Sequence, residues 1–130
     1  MSNVMDLLLK IDEKNLDIPA RDIEIKRLSK AAGDRVIFTC QAVNVDKYSE
    51  IRDNSTHGDE TDTIDLQIFT ILEGVISPDL KSGDLRNKYN AVTPKELVKK
   101  LLRPGEISRL FDIISELSGF GDDVIDEIKN

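Results

Sequence analysis

Two residues of this chain could form a nucleophilic pair: its one cysteine, Cys40, and its one histidine, His57. A thiolate beside an imidazole is an activated nucleophile. Cys40, however, lies in the strand-forming run Val36–Val43, and His57 lies in the polar stretch NSTHGDETDT from Asn54 to Thr63. That placement reads as a buried thiol and a solvated imidazole. The carboxylates Asp59, Glu60, Asp62 and Asp65 could offer oxygen ligands to a divalent cation, but they lack calcium-loop spacing and read as solvated loop charge. Asp112 with Glu116, and Asp122 with Asp123, have the positions of helix-surface and capping carboxylates. No phosphate-cradling glycine loop, Gly-x-Ser-x-Gly, Cys-x-x-Cys or His-Glu-x-x-His occurs. No catalytic, cofactor-binding or metal-binding residue is therefore assigned, and the chain reads as a non-enzymatic binding protein.

Composition narrows the partners. The 130 residues suit one domain, 1–130, and its core must be built from Ile, Leu and Val because the chain has no Trp and only 5% aromatics. A net charge of −7 argues against a nucleic-acid backbone as main partner, since phosphate binding needs a basic surplus. Lys95, Lys99, Lys100 and Arg103 form a local basic group that reads as a solvated helix face. A lone cysteine fits a reducing cytoplasm, and no apolar run is long enough to span a membrane.

The elements follow from periodicity. Val4, Leu7, Leu8 and Ile11 share a helical face, with Ser2 or Asn3 as the start signal, while Met5 and Leu9 make the other side apolar too. That segment is expected to be buried all round or to meet a partner. After an extended connector at 15–19, alternation at Ile23 and Ile25 and the run Val36–Val43 predict an antiparallel hairpin of about 22–29 and 34–43. Asn44 caps a helix to about Asp53, and Asn54–Thr63 reads as a mobile acidic loop. Ile64, Ile68, Ile71, Leu72 and Val75 define the next helix, and Asp84 to Asn90 a short one.

The C-terminal part is the most legible. Thr93, Pro94 and Glu96 spell a helix start, in which Glu96 would reach back to the Thr93 amide, and Leu97, Val98, Leu101 and Leu102 form its stripe. Pro104-Gly105 stops that helix. A second runs from about Glu106 to Ser118 with Ile107, Leu110, Phe111, Ile114 and Leu117 on one face. Gly119 is placed to end it in the left-handed conformation with Phe120 folding back, and Asp122 to cap a last turn holding Val124, Ile125 and Ile128. The expected fold class is α+β: a small antiparallel β-hairpin packed against a mainly helical C-terminal half.

The order TPKELVKKLL, PGEI, SELSGFG from Thr93 to Gly121 resembles the C-terminal half of phage tail assembly chaperones of the XkdN-like group, found in PBSX-type prophages of Bacillus and relatives. Glu24-Ile25-Lys26-Arg27-Leu28-Ser29, and Thr70-Ile71-Leu72-Glu73-Gly74-Val75 with Pro78-Asp79-Leu80 behind, match in the same order. The resemblance implies a chaperone, in the cytoplasm of the bacterial host cell, that coats the tape measure protein and keeps it soluble while the tail tube assembles. It also implies a minor, longer form made by frameshifting, through which tail tube protein would be recruited. A homo-oligomer is a further expectation, because the apolar faces exceed what a small hairpin can cover. No cofactor, nucleic acid or membrane enters this reading. The alternative is a structural tail-completion or connector protein of the phage particle. The acidic stretch 54–63 departs from the family pattern, and no partner-binding residues carry over from the resemblance.

Overall fold

A computed structural model describes residues 3–128. The elements in chain order are α1 Val4–Lys10, β1 Ala20–Glu24, α2 Lys26–Ala32, β2 Ile37–Gln41, α3 Val45–Ser55, β3 Thr56–His57, β4 Glu60–Thr61, α4 Thr63–Gly74, β5 Val75–Ser77, α5 Gly83–Lys88, α6 Pro94–Leu101 and α7 Pro104–Leu117. A 3-10 turn, Glu13–Asn15, lies between α1 and β1. The class is α+β, as the periodicities predict: a three-stranded antiparallel sheet, ordered β1-β2-β5, packs against the helices.

The expected hairpin is redrawn by the structure. β1 pairs with β2 from Ala20↔Gln41 to Glu24↔Ile37, so the first strand begins earlier and ends sooner than 22–29. Residues 26–32 are helical instead. Leu28, Ala31 and Ala32 have helical rather than alternating spacing, and Gly33, at φ +80, closes the turn by donating to the Ser29 carbonyl at 2.9 Å. The Ser29 hydroxyl then takes the Val36 amide at 2.8 Å, which steers the chain into β2. β5 completes the sheet on the other side of β2 with Thr39↔Ser77 and Cys40↔Val75. Val75, read as the last turn of a helix, belongs to that strand.

The core gathers between sheet and helices. Phe38 and Cys40 from β2, Ile68 and Ile71 from α4, Val98 from α6, and Leu110 and Ile114 from α7 are each no more than 1% exposed. Burying each large aliphatic or aromatic side chain contributes about 1.5–3 kcal/mol before chain entropy opposes it. Ile113 is buried as well, although it lies off the stripe read from spacing, because the sheet side of α7 is also covered. α4 and α7 approach so closely that a Cβ on Gly74 would come within 2.6 Å of the Ile114 side chain.

The caps refine the two-helix reading at the C-terminal end. The Thr93 hydroxyl accepts the Glu96 amide at 3.1 Å, as expected, but Glu96 Oε2 takes the Val92 amide at 2.8 Å, one residue further back. Pro104 does not end α6; it sits at the first position of α7, where the missing amide costs nothing, while Glu106 Oε1 accepts the Arg103 amide at 2.7 Å. α7 ends as predicted. Gly119, at φ +93, donates to the Glu116 carbonyl at 3.1 Å, and the Phe120 amide donates to that of Ser115 at 3.0 Å. Beyond Gly121 the expected last turn with Val124, Ile125 and Ile128 is irregular chain, exposed throughout, because nothing apolar lies beneath it to hold a turn.

Candidate partner-binding surface

Of the catalytic and metal-ligand candidates, Cys40, His57, Asp62 and Asp65 are engaged by the fold, while Asp59 and Glu60 stand exposed on the β3–β4 hairpin. Cys40 is buried at the centre of the sheet, and burial pushes its thiol up to about 11. His57 stands exposed on β3 and turns to Asp65, not to Cys40. Asp62 caps α4 by accepting the Asp65 amide at 3.0 Å. Asp65 is buried, with Lys95 Nζ at 2.6 Å on one oxygen and His57 Nε2 at 3.4 Å on the other. The Lys95 hydrogen bond holds the Asp65 carboxyl below the usual carboxylate range against burial, and His57 adds to it. Lys95 also sits 5.9 Å above the Phe69 ring. This cluster ties the β3–β4 hairpin and the start of α6 to the first turn of α4, which is why the acidic stretch is a paired hairpin instead of the loop read from its composition. Among the described residues no three His, Cys, Asp or Glu side chains are placed to hold a metal ion.

The basic group disperses in the same way. Lys95 is bound to Asp65, and Lys100 Nζ caps the end of α5 by donating to the carbonyls of Tyr89 and Asn90 at 3.2 and 2.7 Å. Asp112, Asp122 and Asp123 are exposed, and Glu116 faces Arg21 at 3.4 Å.

Large apolar side chains also stand exposed, most of all on the N-terminal arm. α1 carries Val4, Met5, Leu7, Leu8 and Leu9 around most of its circumference, with Asp6 and Lys10 its only charges. Asn3 caps it by accepting the Asp6 amide at 2.8 Å. None of its residues is buried. With Ile11, Leu16 and Ile18, eight large apolar side chains between Val4 and Ile18 are 46–76% exposed. A helix apolar on nearly all sides is ordinarily a buried one.

Two grooves lie beside each other on the body and share Val43. One, about 240 Å³, runs between α3, α4 and α7 over Tyr48, Leu66, Phe111 and Phe120, and no charged side chain lines it. The other, about 330 Å³, leads from Val43 past Ala42 and Pro19 to Ile18 at the root of the N-terminal arm, with Asp17, Lys47 and Glu73 also lining it. A third cleft, about 370 Å³, has Ile51, Phe69, Leu72 and Pro94 in its walls. Of the charges lining it, Lys81 Nζ lies 3.0 Å from Glu73 and Lys95 is bound to Asp65. Phe111 was legible only as a core position. Its half-buried place at the groove follows from the packing of α3 across α4, which one-dimensional spacing does not contain.

Comparison with known proteins identifies the family. The family described as phage XkdN-like tail assembly chaperone protein matches residues 5–129, and the chain belongs to that family. It is similar to phage-like element PBSX protein XkdN of Bacillus subtilis (strain 168), 28% identical over 142 aligned positions that cover 98% of this chain and 96% of that protein. It is also similar to the uncharacterized protein YqbN of the same strain, 27% identical over 122 positions covering 84% and 82%. The crystal structure of the protein YqbN superposes with a TM-score of 0.64, covering 81% of this chain and 90% of that one. Among the described residues no helix is long and apolar enough to cross a membrane.

Proposed function

We propose that this tail assembly chaperone binds the tape measure protein of its phage or prophage and holds it in solution while tail tube subunits assemble around it. It does so in the cytoplasm of the bacterial host, without enzymatic chemistry. The observation that supports this reading most is the exposed apolar arm between Val4 and Ile18. An apolar helix of the partner would lie in the grooves joined at Val43, and α1 would close over it. A seven-residue helix is marginal by itself, since isolated helices shorter than about 12 residues seldom hold in water, so α1 gains its stability on binding. The net charge of −7 then keeps the loaded complex dispersed.

Co-expression tests the proposal. The wild-type chain should keep the tape measure protein soluble and co-elute with it on gel filtration. Leu7→Asp with Leu8→Asp should lose the complex while leaving the melting temperature unchanged, because neither side chain is buried in the body. A tape measure protein equally soluble alone, with no complex surviving filtration, would sink the reading.

A further inference from the structure

β1 is an edge strand: among the described residues one side of it has no paired neighbour, and four of its five residues are exposed. Such an edge is a template for another extended chain. Alongside it, between β1, α2 and the first half of α7, lies a cleft of about 380 Å³ with Ile23, Ile25 and Leu110 in its walls and Lys26, Arg27 and Arg109 at its margin. Its carboxylates are engaged, Glu106 by Arg27 at 2.8 Å and Glu24 facing Arg35 at 3.8 Å. Lys26 and Arg109 have no carboxylate within salt-bridge distance among the described residues. On a chain of net charge −7, this is a basic, apolar cleft beside an open strand edge.

The segment that complements it is in the same chain. Residues 122–128 read DDVIDEI, four acids interleaved with three branched aliphatics. They form neither helix nor strand, and Val124, Ile125 and Ile128 are 54%, 83% and 85% exposed. We propose that Asp122–Ile128 of one copy docks in extended form along the free edge of β1 in a second copy. Val124 and Ile128, which share one face of the extended segment, fill the cleft, and its carboxylates face Lys26 and Arg109.

The geometry of α7 favours a second copy over the chain's own cleft. Phe111, Ser115 and Ser118 face the α3–α4 groove, whereas Glu106 and Glu116 meet Arg27 and Arg21 on the β1–α2 side. At 3.6 residues per turn these are opposite sides of the helix. The Phe120 ring, 5.1 Å from that of Tyr48, carries the chain off on the α3 side. Tail and cleft are different surfaces, so copies add head to tail unless two of them exchange tails reciprocally and close a dimer.

Sedimentation of the full chain and two variants tests this. One variant lacks residues 122–130; the other is Lys26→Glu with Arg109→Glu, backed by Lys26→Gln with Arg109→Gln should the charge reversal disturb folding. The full chain should show mass rising with concentration, with association at least about tenfold weaker once salt shortens the screening length to about 3 Å. Each variant alone should be monomeric with an unchanged melting curve. Mixed, they should form a one-to-one heterodimer, because one retains the cleft and the other the tail. A monomeric full chain, self-association that survives removal of the tail, or a mixture that stays monomeric would each overturn the proposal. A synthetic 120–130 peptide that binds the truncated chain while the full chain stays monomeric would place the tail in its own copy's cleft, and so also overturn it.

Discussion

The Arg27 guanidinium and the Glu106 carboxylate meet at two points, Nη2 to Oε1 at 2.8 Å and Nε to Oε2 at 3.0 Å. Arg27 also donates to the Leu101 carbonyl at 2.7 Å, and Glu106 accepts the Arg103 amide, so one pair joins α2, the end of α6 and the start of α7. The Arg27 hydrogen bond holds the Glu106 carboxyl below the usual glutamate range, outweighing partial burial. The sign for stability follows. The unfolded chain binds its proton at higher pH than the folded one, so the contribution is complete above the ordinary glutamate value. It is lost as pH falls through the lowered folded value. Urea midpoints should therefore drop on acidification in the wild type, and Glu106→Gln should lower the neutral-pH midpoint while flattening that acid dependence. An unchanged acid limb in Glu106→Gln would show that the pair is not what titrates.

Gly74→Ala should destabilise by about 1–3 kcal/mol, the usual range for overpacking. The added methyl would meet three Ile114 side-chain atoms at 2.6–2.9 Å, and Ile114 is fully enclosed and has nowhere to move. Ile114→Val in the Gly74→Ala background should recover part of the loss, which a double-mutant cycle in urea would measure.

At the end of α7, Phe120→Ala should cost about 0.5–1.5 kcal/mol, the worth of an aromatic pair, because the ring rests on Tyr48 yet remains 57% exposed. Gly119→Ala should cost about 1 kcal/mol through its backbone alone, since φ +93 penalises any Cβ although the space around it is open. Equal effects of the two substitutions on thermal midpoint and on hydrogen exchange of the α7 C-terminal amides would argue that the cap, rather than the ring contact, dominates.

Cys40 should resist alkylation. With its thiol pushed up to about 11 and no exposed surface, reaction at pH 8 must wait for the sheet to open. The rate of modification should track urea concentration along the unfolding curve. Reaction at the rate of a free thiol in buffer would contradict the placement of β2.

The helical half was legible because its signals are local. Thr93, Pro94, Gly119 and Phe120 act within one turn of their own positions, and the stripes of α4, α6 and α7 repeat with the helix period. The sheet was harder. β5 is three residues long and follows α4 without a loop, so its existence depends on pairing with Thr39 and Cys40 far away in sequence. α2 was hidden because Ile23 and Ile25 alternate just before it, and a strand pattern gives no notice of where it stops. The candidate surface was legible only in part: the two-sided apolarity of Val4–Ile11 pointed to a partner. The groove at Val43 arises where α3, α4 and α7 come together, and no single segment encodes it.

The connection between α1 and β1 also bears on the lifetime of the free chain. Lys10 and Lys14 are exposed in a stretch anchored by no buried residue, whereas the chain from Ala20 onward is tied into the sheet. Limited trypsin digestion should remove the arm first and leave the remainder resistant, and a bound partner should protect it. On the proposed reading, clipping would discriminate between loaded and idle molecules, and an idle one would lose the arm irreversibly.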